Sequence, residues 1–125
     1  MERATPMTQF ELVMMHEAGH AYVAQHYGVT VNYMEMDEDE DGLAALTNVE
    51  GTATWKERMI MLMAGLAGEA HALGHEEYEP NEGTLNDIAM AMDVLKTVHP
   101  NPTADEANVA LEMAFYDALL LLRQA

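Results

Sequence analysis

The chain contains no cysteine, and only five lysines and arginines stand against twenty-two aspartates and glutamates. The missing cysteines exclude a disulfide framework and any thiolate metal site, so a bound metal would have to use imidazoles and carboxylates. The shortage of cations leaves a net charge of −17, which excludes nucleic acid as a partner because its phosphates would be repelled. No apolar run approaches the length of a membrane span, so membrane insertion is not expected. Nor is there a basic segment followed by an apolar core and a small-residue cleavage site, and a cytoplasmic location is therefore expected. Aromatic residues are few, at one Trp, two Phe and five Tyr, whereas Met numbers twelve and half of the chain is apolar. That composition suits an interior of Met- and Ala-rich helices. At 125 residues, the chain is expected to form one domain spanning residues 1–125.

Four segments open with a Thr-x-x-acid pattern: Thr8 to Glu11, Thr54 to Glu57, Thr84 to Asp87 and Thr103 to Glu106. Each reads as a capping box, in which the threonine accepts the amide three residues on and the acid reaches back. The pattern predicts helices from Thr8 to Tyr27, with Gly28 as the stop, from Thr54 to Leu73, from Leu85 to about Thr97 ahead of Pro100, and from Ala104 to the C-terminus. The first is apolar around most of its circumference and is expected to be buried. Gly19 costs roughly 1 kcal/mol in a helix interior and implies close approach by another backbone. Gly65 and Gly68, with Ala64 and Ala72, offer the second helix a smooth packing surface. Between these two helices the period changes to two. Val29 to Met36 and Leu43 to Val49 read as paired strands joined by Asp37-Glu38-Asp39-Glu40-Asp41-Gly42. This acidic run lacks the spacing and terminal Glu of a calcium loop. The fold class expected is α+β, a mainly helical body with a small β-hairpin or sheet.

The first helix carries His16-Glu17-Ala18-Gly19-His20. Two histidines four residues apart lie roughly 40° apart about a helix axis, on one face, where both can bind a single Zn²⁺. Glu17, on the neighbouring flank, can take a proton without ligating the metal. The competing reading is a helix with one buried and one exposed histidine. Burying His16, Glu17 and His20 together is costly unless something satisfies them, and a divalent metal does so directly.

A catalytic zinc usually has three protein ligands and an open position. Candidates for the third include His26, His71, His75, Asp87, Asp93, His99 and several glutamates. His71 and His75 form a second pair at helical spacing, but without a suitable carboxylate between them they read as the C-terminus of a helix, where the dipole favours imidazolium. Asp87 stands modestly ahead, because the other three boxes use Glu and the shorter Asp is the odd one out.

His16 to Ala21 (HEAGHA), Met63 to Gly74 (MAGLAGEAHALG) and Gly83 to Ala91 (GTLNDIAMA) together resemble the peptidase domain of the FtsH family, the M41 metallopeptidases, over roughly Thr8 to Leu95. That resemblance implies a zincin-like domain, with His16, His20 and Asp87 as zinc ligands and Glu17 as general base. It also implies that Gly42, Leu43, Ala44 and Ala45 form an edge strand pairing with the substrate backbone. The chain departs from the family in having Leu66 and Leu85 where Arg and Ser are usual, and in showing neither the membrane spans nor the AAA ATPase module.

The function expected is zinc-dependent endopeptidase activity on peptides or unfolded segments without an ATPase of its own. A separate ATPase is a possible partner, as is a second copy in a homo-oligomer. Two alternatives come from other classes: a non-catalytic zinc-stabilised binding domain, and a metal-free acidic interaction protein.

Overall fold

A computed structural model describes residues 8–39, 42–50 and 54–124, with side chains for 8–29 and for 54–124 apart from position 82. Three of the four threonine boxes form as the sequence implies. Thr8 caps α1 (Gln9–His26), Thr54 caps α2 (Trp55–Leu73) and Thr103 caps α4 (Ala104–Arg123), each with reciprocal bonds to the glutamate three residues on. The ends of the first two helices are set by glycine in the left-handed region, at Gly28 and Gly74, both with φ 75°. Beyond these glycines the Val29 amide bonds to the Ala24 carbonyl at 2.9 Å and the His75 amide to that of Ala70 at 2.8 Å, closing each final turn.

The fourth box does not form. Thr84 is fully buried, and its hydroxyl donates to the Asn81 carbonyl at 2.8 Å while accepting the Asn81 amide at 3.0 Å. It therefore ties the short 3₁₀ turn at Glu82–Thr84 to the start of α3 (Leu85–Val98). Asp87, released from capping, turns elsewhere.

β1 (Thr30–Asp39) and β2 (Gly42–Glu50) pair antiparallel, with Thr30 opposite Glu50 and Asp39 opposite Gly42, and with an irregularity between Val31 and Tyr33. Asp37, Glu38 and Asp39 thus continue the first strand, and Glu40 and Asp41 of the acidic run lie outside the described residues.

The expected α+β, zincin-like fold class is corrected by where the core lies. Residues 8–29 and 54–124 contain helices and no strand. Every member of the buried apolar cluster, from Val23 through Met63 and Leu95 to Phe115 and Leu122, sits on one of the four helices. The fold is a helical bundle centred on α2, which packs against α1, α3 and α4. The physical reason is that a two-stranded ribbon has no sheet neighbours and cannot serve as a layer of a core, whereas four apolar helix faces can close on one another. Among the described residues no helix is long and apolar enough to cross a membrane.

The expectation that α1 is buried all round also fails. Its buried residues are His16, Glu17, Gly19, Val23 and Ala24, while Phe10, Met14, Met15 and Tyr22 are exposed. Where α1 does pack, it packs closely. A Cβ added at Gly19 would meet the Ala64 carbonyl oxygen and lie 3.1 Å from the Cα of Gly68. One added at Gly68 would meet the Met15 carbonyl oxygen and lie 3.2 Å from the Cα of Gly19. The two helices cross backbone against backbone.

Candidate metal centre

This close crossing brings the polar face of α1 onto α2. His16 and His20, one turn apart, point their rings over Gly65. A Cβ at Gly65 would fall 2.5 Å from both His16 Cε1 and His20 Nε2, so the glycine leaves the cradle in which both imidazoles sit. Each ring is anchored through Nδ1. His16 Nδ1 lies 2.7 Å from Glu69 Oε2, and His20 Nδ1 lies 2.7 Å from the Met61 carbonyl oxygen. Both acceptors come from α2, so the seam that glycine makes possible also orients the rings.

With the Nδ1 atoms held, the two Nε2 atoms converge. They lie 3.1 Å apart, and Asp87 Oδ2 from the first turn of α3 lies 2.7 Å from that of His16 and 3.1 Å from that of His20. Glu17 is buried beside them, with Oε1 4.0 Å from His16 Nε2, and the ligand atoms of His16, Glu17 and His20 fall within 4.8 Å of one another. Two carboxylates thus neighbour the converging Nε2 atoms. Asp87 touches both rings directly, whereas Glu17 stands off.

The donor set fits a divalent metal. The bond from His20 Nδ1 to the Met61 carbonyl leaves Nε2 facing Asp87, as a donor when the ring is doubly protonated and as a lone pair for a metal when it is not. Tetrahedral coordination with bonds of about 2.0–2.1 Å places ligand atoms roughly 3.3 Å apart, and the triangle at 2.7–3.1 Å is a few tenths of an ångström tighter. Without the metal, the triangle is held by protons. Burial disfavours the charged form of His16, but hydrogen bonds and charge from Asp87 and Glu69 outweigh this and raise its pKa from 6.5 to about 9. Burial acts on Asp87 in the opposite sense, and its bonds to His16 and His20 hold the carboxyl well below the usual range.

Of the residues singled out from sequence, His16, Glu17, His20 and Asp87 are together. The alternative third-ligand candidates are not: His71 and His75 are exposed near the end of α2, His99 pairs with Glu106 at 3.1 Å, and His26 stacks edge-on against Tyr27. Gly42 to Ala45 form the start of β2, opposite Asp39, Glu38, Asp37 and Met36 in turn, and β2 runs beside α1. Sequence reasoning missed Glu69. Its signal was a lone carboxylate in the run Met63-Ala64-Gly65-Leu66-Ala67-Gly68-Glu69-Ala70, where an unpartnered acid would be expensive to bury.

A protein-family model described as Peptidase M50B-like matches residues 4–72, more than half of the chain. The matched stretch includes His16, Glu17, His20, Gly65 and Glu69 and ends before Asp87. No curated protein and no solved structure matches.

Proposed function

Because the chain belongs to the Peptidase M50B-like family, we propose that it is a zinc-dependent endopeptidase acting on peptides or unfolded segments. The family is not M41, so the FtsH assignment gives way to a metallopeptidase-related family of a different kind. Two histidines one helical turn apart with an adjacent glutamate are what any helix needs to present two imidazoles and a base to one metal, so the motif speaks for the chemistry more than for the lineage.

The observation that carries this reading is the convergence of His16 Nε2, His20 Nε2 and Asp87 Oδ2 within 3.1 Å of one another, with Glu17 alongside. In it, His16, His20 and Asp87 would hold the zinc, which would supply Lewis-acid activation of water. Glu69 and the Met61 carbonyl fix the ring orientations through Nδ1 and keep both Nε2 atoms turned inward. Glu17 takes a proton from the attacking water, whose oxygen bonds to the scissile carbonyl carbon. Glu17 then returns the proton to the amide nitrogen as the C–N bond breaks. The position of Glu17 supports this role, because its carboxylate is buried beside the converging Nε2 atoms and stands 4.0 Å from that of His16.

The substrate, in the same proposal, lies extended along Gly42-Leu43-Ala44-Ala45. β2 pairs with β1 on one edge, no strand covers its other edge among the described residues, and it runs beside the helix that carries His16 and His20. Backbone hydrogen bonds to that edge would hold a segment of any sequence that is already unfolded. A separate ATPase is the partner that would extend the activity to folded clients.

The test is Glu17→Gln in the zinc-loaded protein, assayed on a fluorescent unfolded polypeptide. Zinc content is expected to stay at the parent level while turnover falls by about 10²–10⁴-fold. Hydrolysis at the parental rate would overturn the mechanism.

A further inference from the structure

α4 has two apolar faces, and the bundle uses one of them. Ala107, Leu111, Ala114, Phe115, Ala118 and Leu122 are buried in the core. On the opposite side Val109, Met113, Tyr116 and Leu120 are exposed at 55%, 62%, 45% and 55%. Their spacing of four, three and four residues is that of a coiled-coil seam, and it makes a straight stripe about 16 Å long. The stripe is presented rigidly, since the Tyr116 ring packs edge-on at 5.1 Å against the fully buried Phe115.

Carboxylates border it on both sides. At 100° per residue, Asp105 and Glu112 flank one edge and Glu106 and Asp117 the other. Asp105, Glu112 and Asp117 have no ion-pair partner among the described residues, and the single cation on the helix, Arg123, is engaged with Glu76 at 2.9 Å. Glu106 caps the Thr103 amide through Oε1 and meets the exposed His99 through Oε2. A second copy of α4 would set like charges against each other along both borders, within a chain already at −17. Anionic lipid would meet the same repulsion. An amphipathic helix with lysine or arginine on each side of an apolar stripe meets the opposite condition at every border position.

The geometry points to α4 as a docking surface for a basic amphipathic helix of another protein, seated on Val109, Met113, Tyr116 and Leu120 and clasped by Asp105, Glu106, Glu112 and Asp117. The surface lies outside residues 4–72, which match the family model, and does not depend on the peptidase reading.

The test uses the full chain and a synthetic helical peptide of leucine and lysine, with a leucine–glutamate peptide of the same pattern as control. Fluorescence anisotropy is expected to show micromolar binding of the lysine peptide and none of the control. Met113→Glu with Leu120→Glu adds negative charge while breaking the stripe, and should weaken binding at least tenfold. Met113→Ser with Leu120→Ser should do the same without a charge change, and circular dichroism checks that each variant keeps its helices. Glu112→Gln with Asp117→Asn should weaken binding and flatten its salt dependence. Binding unaffected by loss of the stripe would mean attraction to surface charge alone and would overturn the proposal. A dimer of the parent in sedimentation that Met113→Glu dissolves would overturn it in favour of a second copy. Stripe-dependent sedimentation with neutral phosphatidylcholine vesicles would overturn it in favour of a lipid surface.

Discussion

α2 is held on two sides by opposite means. Toward the core it offers Met59, Met63, Leu66, Ala67 and Ala70 to a cluster that includes Phe115 and Leu119 of α4, and side chains fill the space between helices. Toward α1 it offers Gly65, Gly68 and Glu69, and almost nothing separates the two backbones. The first arrangement stabilises by burying apolar area and tolerates a change of shape by repacking. The second gathers four ionisable side chains of α1 and α3 beside a fifth from α2, which costs stability unless each is satisfied. A protein does not need both to fold. The glycine seam is the part of the bundle that gathers ionisable side chains.

The largest effect should come from placing a side chain in that seam. Gly65→Ala drives a methyl group into both imidazoles, and the expected outcome is loss of stoichiometric zinc with helical content retained. Phe115→Ala is the opposite case. It should cost about 3–5 kcal/mol in chemical denaturation while the folded fraction still binds zinc. If Gly65→Ala bound zinc normally, the cradle would not be where the histidines meet the metal.

A smaller effect is expected at Glu69. Removing its charge by Glu69→Gln leaves a hydrogen-bond acceptor for His16 Nδ1 but a weaker one, and zinc affinity should fall about 10–100-fold. Competition with a chromophoric chelator measures this directly. An unchanged affinity would make the contact with His16 incidental.

The smallest effect is a pH dependence of the metal-free protein. His16 is more basic folded than unfolded, so its contribution is complete below pH 6.5 and is lost as pH rises toward about 9. Asp87 is more acidic folded than unfolded, so its contribution is complete above pH 3.8 and is lost as pH falls through its depressed folded value. Chelated protein should therefore melt highest between pH 3.8 and 6.5 from these two groups, and lower as pH climbs to 9. Zinc uptake near pH 7 should release the His16 proton, seen as a buffer-dependent enthalpy in calorimetry. Uptake with no proton release would contradict the account of His16.

Much of the helical framework could be read from local sequence, because caps and glycine stops act over three or four residues. Thr8, Thr54 and Thr103 formed their boxes, and Gly19 met the backbone its presence implied. Thr84 shared the pattern, apart from an Asp in place of Glu, and behaved otherwise, with its hydroxyl bonded to Asn81 and buried. Glu69 was invisible because its partner is 53 residues away and only the helix crossing brings them together. The fold class was misjudged because strand periodicity tells whether a segment is extended, and not whether it becomes a layer of the core. The burial of α1 was misjudged for a related reason: an apolar circumference says what a helix can bury, while the number of neighbours decides what it does bury.

The most direct measurement is the zinc content of protein purified without chelator, set beside that of Asp87→Ala. The account predicts close to one zinc per chain in the parent and a large loss in the variant, because Asp87 joins the two histidines from a different helix. A parent that binds no zinc when it is offered, or a variant that binds it as tightly as the parent, would contradict it.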